Sequence, residues 1–179
     1  MSPQQILDFW FVEISPKQWW VKDDQLDSKI AEQFGDVHAQ AVQCELYAWR
    51  REPLGRLAEI IVLDQFSRNI YRGTARAFAA DPQALTLAQE AVAAQAATAL
   101  ELHHRAFLYM PYMHSESQQI HEIAVQLFSE DGLQANLDFE LKHKAIIDRF
   151  GRYPHRNKIL GRNSTREEIE FLKTPGSSF

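Results

Sequence analysis

Apolar residues recur along this chain at helical spacing, and this periodicity constrains the fold most strongly. Between residues 24 and 51 they fall at three- and four-residue steps, which places them on one face of a helix. The positions are Leu26, Ile30, Phe34, Val37, Ala41, Cys44 and Tyr47. No segment combines sustained two-residue alternation with the turn residues of a β-hairpin. The sequence therefore predicts an all-α fold.

Capping signals divide this helical pattern into about eight to nine elements joined by short loops, an antiparallel helical array. Predicted helices cover residues 3–13, 16–21, 24–51, 54–72, 82–97, 100–110, 116–130, 133–150 and 165–173. Capping boxes are predicted at Ser2/Gln5, Ser115/Gln118 and Ser164/Glu167. Gly73, Gly151 and Gly161 stand where helices are expected to end.

The length of 179 residues suits one domain, which we place at residues 1–173, followed by a loose tail at 174–179. The chain has one cysteine, Cys44, so it cannot form an internal disulfide, and its place on the apolar stripe predicts a core position. No apolar run approaches the ~20 residues of a membrane span, and no signal peptide is visible. These features predict a soluble, cytoplasmic protein that does not bind membranes.

Charge is unevenly distributed along the chain. The formal net charge is -5, yet residues 142–166 contain eight Lys or Arg and one acid, which gives +7 and leaves -12 for the rest. A mainly acidic protein repels a long polyanion, so we expect no nucleic-acid partner. A small anionic ligand that binds at a basic face fits this charge distribution better than a nucleic acid does.

The segment 63–82, LDQFSRNIYRGTARAFAADP, mixes aromatic residues with arginines. Arg68 and Arg72 are four residues apart and Asn69 lies between them, so these three side chains could hold an anion through forked hydrogen bonds. The alternative is structural: Asp64 and Arg68 are at the i,i+4 spacing of a helical ion pair. Both interpretations remain open at the level of the sequence.

A second cluster lies in RFGRYPHRNKILGR, residues 149–162. Its candidate ligand-binding residues are Arg152, Arg156, Asn157 and Arg162. Pro154 restricts the backbone on both sides, so this loop is expected to be stiff, as binding loops often are. The alternative is a solvated basic surface loop.

The third candidate is YMPYMHSES at 109–117, where His114 and Glu116 flank Ser115. A histidine can exchange protons near neutral pH, and the start of a helix favours an anion. If the protein is an enzyme, the candidates for proton transfer are His114, Glu116 and His155. Packing or capping roles explain the same residues without catalysis, and the sequence leaves open whether there is a reaction.

Two segments repeat one pattern. Asp64, Phe66, Arg68 and Arg72 match Asp148, Phe150, Arg152 and Arg156 in the same nine-residue frame. Four matches do not establish a duplication. They predict two helix ends with the same side chains, in which Asp64 and Asp148 form structural ion pairs.

No cofactor or metal is expected. His121-Glu122 begins like the zinc-protease motif HExxH, but position 125 is valine, and the other histidines lie in separate segments. The chain also lacks a phosphate-binding loop, a dinucleotide fingerprint and the GxSxG nucleophile motif.

The strings DQF-RN--RG-A-AF--D and FGR-PHRN-ILGR, with YMPYMHSES, resemble the bacterial domain-of-unknown-function family 924. The resemblance covers nearly the whole chain. It implies an all-helical fold similar to tetratricopeptide-repeat superhelices. It implies no activity, so no catalytic residue can be transferred from it.

The leading hypothesis is an arginine-rich pocket in which Arg68 and Arg72 meet the 149–162 loop and the 114–116 turn around a small phosphate or carboxylate ligand. A repeat-like scaffold that grips an acidic peptide or a partner helix is the second hypothesis. A third is a buried network of ion pairs that holds no ligand.

Overall fold

A computed structural model describes residues 1–178, and in this range the chain is helical without any β-strand. The all-α prediction is thereby confirmed. The α-helices are α1 (Pro3–Asp8), α2 (Asp24–Val42), α3 (Pro53–Ile61), α4 (Ser67–Ile70), α5 (Asp81–Ala93), α6 (Leu102–Met113), α7 (Gln118–Phe128), α8 (Gln134–Phe150) and α9 (Arg166–Phe171). Short 3-10 helices lie at Pro16–Trp19, Tyr47–Arg51, Ala75–Phe78, Ala96–Ala99 and Pro154–Arg156, and π-helical turns at Phe9–Glu13 and Val62–Phe66.

The predicted long helix 24–51 is wrong beyond residue 42. Helix α2 ends at Val42, and Cys44 has a φ of 61°, a left-handed conformation that no α-helix can continue through. Cys44 is also exposed, so its predicted core position is wrong. Tyr47, the next position of the apolar spacing, is also exposed, and Leu46 is buried from the connecting turn instead.

Capping was predicted correctly at the first helix and incorrectly at two others. Ser2 and Gln5 form the expected capping box of α1. Helix α7 begins after Ser117 without a side-chain cap, and the capping box of α9 uses Thr165 and Glu168, one residue beyond the predicted pair. Helix α8 ends as expected at Gly151, whose φ is 66°.

The described chain divides into two compact units. Unit 1 consists of residues 1–72 and 76–111, and unit 2 of residues 73–75 and the chain from Tyr112 onward. The single domain at 1–173 therefore stays a prediction. So does the loose tail, in which Ser177 donates a hydrogen bond to the Leu172 carbonyl, while Phe179 lies outside the described residues.

None of the helices described in the two units is long and apolar enough to cross a membrane. The cytoplasmic location and the tetratricopeptide-like arrangement stay predictions.

Unit 1 is built around aromatic side chains from its first helices. Phe9, Phe34 and Phe66 meet with ring centroids 4.7–6.0 Å apart, and all three are buried. Phe66 ends the π-helical turn that joins α3 to α4 in one continuous helical segment. A π turn has more residues than an α turn, and here it brings the polar Asp64 and Gln65 into the buried side of unit 1.

Unit 2 packs α7 against α8, and the segment after α8 adds Tyr153 to the buried side chains of α8. Ile146, Ile147 and Tyr153 form a buried cluster, and Phe150 and Phe171 cover it as partly buried neighbours. Tyr153 is fully buried although it lies beyond the end of α8. The chain that follows Gly151 therefore returns to the core instead of leaving it as a surface loop.

Candidate functional site

In unit 1, Arg72 is engaged by an acid from α2. Its Nε and Nη2 atoms donate to the two carboxylate oxygens of Asp27 at 2.5 and 2.8 Å, and Asn69 Nδ2 donates to the same carboxylate at 2.8 Å. Burial raises the pKa of Asp27, but the hydrogen bonds from Arg72 and Asn69 outweigh it and lower the pKa below its ordinary value. Arg72 and Asn69 thus already bind a carboxylate that belongs to the chain.

Arg68 makes a similar forked contact within unit 1. Its Nη1 and Nη2 atoms lie 2.9 and 3.0 Å from the Asp81 carboxylate, and Nη1 lies 3.2 Å from Asp64 Oδ1. Gln65 Nε2 donates to the other oxygen of Asp64 at 2.6 Å. Asp64 is 1% exposed, so this is an ion pair largely removed from water.

In unit 2, Glu116 and Arg162 form the centre of a polar cluster. Arg162 Nη1 and Nη2 donate to the Glu116 carboxylate at 2.6 and 2.9 Å, and the Tyr153 backbone N–H donates to it at 2.7 Å. Burial raises the pKa of Glu116, while Arg162, the Tyr153 amide and the nearby Arg156 charge lower it, with a net decrease. Glu116 is therefore a carboxylate at neutral pH and a poor proton donor.

Arg162 is also held by groups other than Glu116. Its Nε donates to Asn157 Oδ1 at 2.9 Å, and its Nη2 approaches the Tyr153 carbonyl at 3.2 Å. Asn157, which is 1% exposed, uses its amide nitrogen to contact the Ser164 hydroxyl at 3.1 Å. The guanidinium is thus oriented from two sides.

Arg152 forms a second forked pair in this cluster. Its Nε and Nη2 donate to the Glu168 carboxylate at 2.6 and 2.8 Å, and the Thr165 N–H donates to Glu168 at 2.7 Å. The bonds from Arg152 lower the pKa of Glu168 most strongly, to about 2. Glu168 was absent from the sequence predictions, which counted only the acids inside the basic segment.

Arg156 and the histidines of unit 2 surround the Tyr153 ring. The Arg156 guanidinium lies 4.5 Å from the ring centroid, and the rings of His155 and His143 lie 5.5 and 5.8 Å away. Burial lowers the pKa of His143 to about 3, so this imidazole is neutral near pH 7. His114 and Arg156 act on it in the same direction through their charges.

The basic segment 142–166 meets acids from elsewhere in unit 2. Lys144 contacts Glu122 at 2.9 Å and Asp148 at 2.7 Å, and Arg149 contacts Glu167 at 2.8 Å. Asp148 therefore pairs with a lysine one turn before it. Much of the +7 charge is balanced locally, which the count along the sequence could not show.

The sequence predictions thus fall into two separate groups. Arg68, Asn69 and Arg72 belong to unit 1, and Arg152, Arg156, Asn157 and Arg162 to unit 2. Each group forms its own polar cluster, and the single pocket shared by both groups stays a prediction. Among residues 1–178, no group of three or more His, Cys, Asp or Glu side chains could hold a metal ion.

Sequence reasoning missed one buried polar pair, His121 and Glu140, whose ring and carboxylate meet at 2.6 Å. Helical spacing gave a signal for it. His121 lies three residues before Ala124 on the buried face of α7, and Glu140 lies seven before Ile147 on that of α8. In the sequence, His121 is noticeable mainly as the start of an incomplete metal motif.

The described chain is therefore an all-α protein. In each of its two units, arginine side chains are paired with acids of the same chain. The chain belongs to the family described as "Bacterial protein of unknown function (DUF924)", which matches residues 6–176. It is similar to the solved structure of a protein of unknown function, ATU0120, from Agrobacterium tumefaciens. That similarity has 36% identity, a TM-score of 0.91 and 96% coverage of each chain. No curated protein matches the chain.

Proposed function

We propose that the protein binds a small carboxylate or phosphate compound in unit 2, at the guanidinium that Glu116 occupies in this structure. The observation that carries the proposal is that Arg162 is oriented by Asn157 and Tyr153 independently of Glu116. If the Glu116 side chain turned away, the guanidinium fork would keep its position. Such a fork fits the two oxygens of a carboxylate or phosphate.

The partial exposure of Arg162 and Glu116 supports the replacement of Glu116 by an external anion. The side chains of Arg162 and Glu116 are 25% and 27% exposed, so an external anion can reach the pair from solvent. Arg156 adds positive charge, since it helps to lower the pKa of Glu116. Glu116 then acts as an internal competitor, and its role is to hold the site until a ligand replaces it.

The test compares thermal unfolding in phosphate or citrate with unfolding in chloride at matched ionic strength. At a hundredfold excess over the dissociation constant, a bound anion stabilises the native state by about 2.7 kcal/mol. Glu116→Gln removes the competing charge, so it should increase the stabilisation by a given anion concentration. Arg162→Lys should abolish most of it, because an ammonium cannot form the fork.

Arg166→Lys is the matched control, because Arg166 is an exposed residue of the same basic segment. Its response to phosphate should equal that of the wild type. If neither the wild type nor Glu116→Gln responds beyond chloride, the proposal is wrong.

The second candidate is a structural ion network without a ligand. It is favoured by forked pairs such as Arg50 with the fully buried Glu59, at 2.6 and 2.7 Å. The absence of an anion effect, together with destabilisation by Glu116→Gln, would support this alternative. The scaffold for an acidic peptide stays a prediction.

A further inference from the structure

His121 and Glu140 form an ionisable pair that is completely removed from solvent. His121 lies on α7 and Glu140 on α8, and both side chains are 0% exposed. The Nδ1 atom of His121 is 2.6 Å from Glu140 Oε1, a short hydrogen bond. The anion site proposed above does not use this pair.

The hydrogen-bond geometry determines how many protons the pair holds. His121 Nε2 is 2.9 Å from the Ser115 carbonyl oxygen, which can only accept, so Nε2 carries a hydrogen. The contact between Nδ1 and Oε1 requires a second proton, because two lone pairs would repel each other at 2.6 Å. With these two protons the pair has no net charge.

The second proton is better placed on the carboxyl group than on the imidazole. Glu140 Oε2 is buried and has no hydrogen-bond partner within residues 1–178. An ionised carboxylate would leave that oxygen without solvation, which is costly in a protein interior. Burial also raises the pKa of Glu140, and the opposing effects of His121 and Lys144 do not reverse the shift.

The pair is connected to the turn that precedes α7. His121 Nε2 donates to Ser115 O and lies 3.3 Å from the Tyr153 hydroxyl, which itself donates to Met113 O at 2.6 Å. Residues 113–115 are thus held by hydrogen bonds to α7 and to Tyr153, and α7 is held to α8 by Glu140.

We propose that His121 and Glu140 form a pH-sensitive latch, in which an uncharged carboxylic acid on α8 orients the imidazole that anchors the 113–115 turn. Removal of the shared proton leaves a buried negative charge, which the surrounding groups do not solvate. The hydrogen bond to Nδ1 is then lost and the turn loosens from α7.

The other titratable and charged groups near the latch in unit 2 do not supply the proton that lies between His121 and Glu140. On α8, His143 is neutral, and Lys144 is engaged by Glu122 of α7 and by Asp148. From the preceding turn and the segment after α8, His114 and Arg156 act on His143 through their charges.

The experiment measures urea unfolding of the wild type and Glu140→Gln between about pH 5 and about pH 9, the range above the ordinary carboxyl pKa. Glutamine retains a donor toward Nδ1 but cannot lose its proton. The folded pKa of Glu140 is raised, so its stabilising effect is complete below the unfolded value of 4.5 and is lost as pH rises. Relative to Glu140→Gln, the unfolding constant of the wild type should increase by up to about tenfold per pH unit.

Asp138→Asn changes an exposed acid on the same helix. Its unfolding constant should have the same pH dependence as that of the wild type. A wild type that gains stability with pH relative to Glu140→Gln would have the opposite sign to that of a raised carboxyl pKa, and the latch would be wrong. Parallel profiles would also reject it, because Glu140 would then not change its protonation on folding.

Two measurements on the wild type keep the test valid if Glu140→Gln does not fold. Infrared spectroscopy with carbon-13 glutamate at neutral pH should show the isotope-shifted carbonyl band of a protonated carboxyl group. Amide hydrogen exchange, corrected for its intrinsic pH dependence, should show protection of residues 113–116 decreasing as pH rises. Absence of the band, or constant protection, would contradict the proposal.

Discussion

Residues 64–72 and 148–156 have the same Asp, Phe, Arg, Arg frame, yet the two units use it differently. Asp64 is 1% exposed and contacts Arg68, whereas Asp148 is 46% exposed and contacts Lys144. Phe66 is completely buried, but Phe150 is only partly covered. The Asp and the Phe of the frame thus contribute to the core in unit 1 and lie closer to the surface in unit 2.

The difference begins at the fourth residue of the frame. Ser67 has a φ of -56° and continues the helix, whereas Gly151 has a φ of 66° and ends α8. Arg68 and Arg72 therefore extend from or just past a helix, while Arg152 and Arg156 belong to the segment that returns over Tyr153. One backbone conformation separates two similar sequences, because it changes the direction of every residue that follows.

The largest expected effect concerns the two phenylalanines. Phe66→Ala should reduce the free energy of unfolding by about 4 kcal/mol, because it creates a cavity in a closed aromatic core. Phe150→Ala should cost about 1–2 kcal/mol, since its ring is already partly hydrated. Urea unfolding of both variants measures the difference, and equal losses would show that the two frames are equivalent.

The second effect concerns the acids at the start of each frame. Asp64→Ala should destabilise the protein by about 2 kcal/mol, because it removes the buried acceptor of the Gln65 amide and one of the two carboxylates that contact Arg68. Asp148→Ala removes an exposed pair and should cost about 0.5 kcal/mol or less. High salt should reduce only the second cost. A loss at Asp148 as large as that at Asp64 would contradict the comparison.

The smallest effect tests the backbone difference itself. Gly151→Ala should cost about 1 kcal/mol, the strain of a left-handed conformation with a Cβ atom. No atom lies within 4 Å of the added Cβ, so the cost does not include a clash. Gly151→Asn should cost less, because asparagine tolerates this conformation. Thermal unfolding compares the two variants, and an alanine without cost would show that Gly151 does not require a positive φ.

Local interactions explain which parts of the fold could be predicted from the sequence. The Ser2 capping box and the end of α8 at Gly151 depend on residues within four positions of each other, and both predictions are confirmed. The all-α class follows from the same short-range periodicity. The break after Val42 was missed because apolar spacing continued while the backbone turned.

The polar clusters depend instead on residues that are distant in the chain. Arg72 meets Asp27 across 45 positions, and Arg162 meets Glu116 across 46. Arginine positions showed where polar clusters would form, but nothing local indicated which acid would reach each guanidinium. The ligand-binding role of these arginines stays a prediction.

The sequence by itself determined the helical class, several helix ends and the family to which the chain belongs. Only the tertiary structure decided which charges are balanced, which Asp and Phe of the two frames are buried, and that His121 meets Glu140 in the interior of unit 2. The physical reason is range: helix formation is set by neighbours within one or two turns, whereas burial and charge pairing require contacts between segments that meet only after folding.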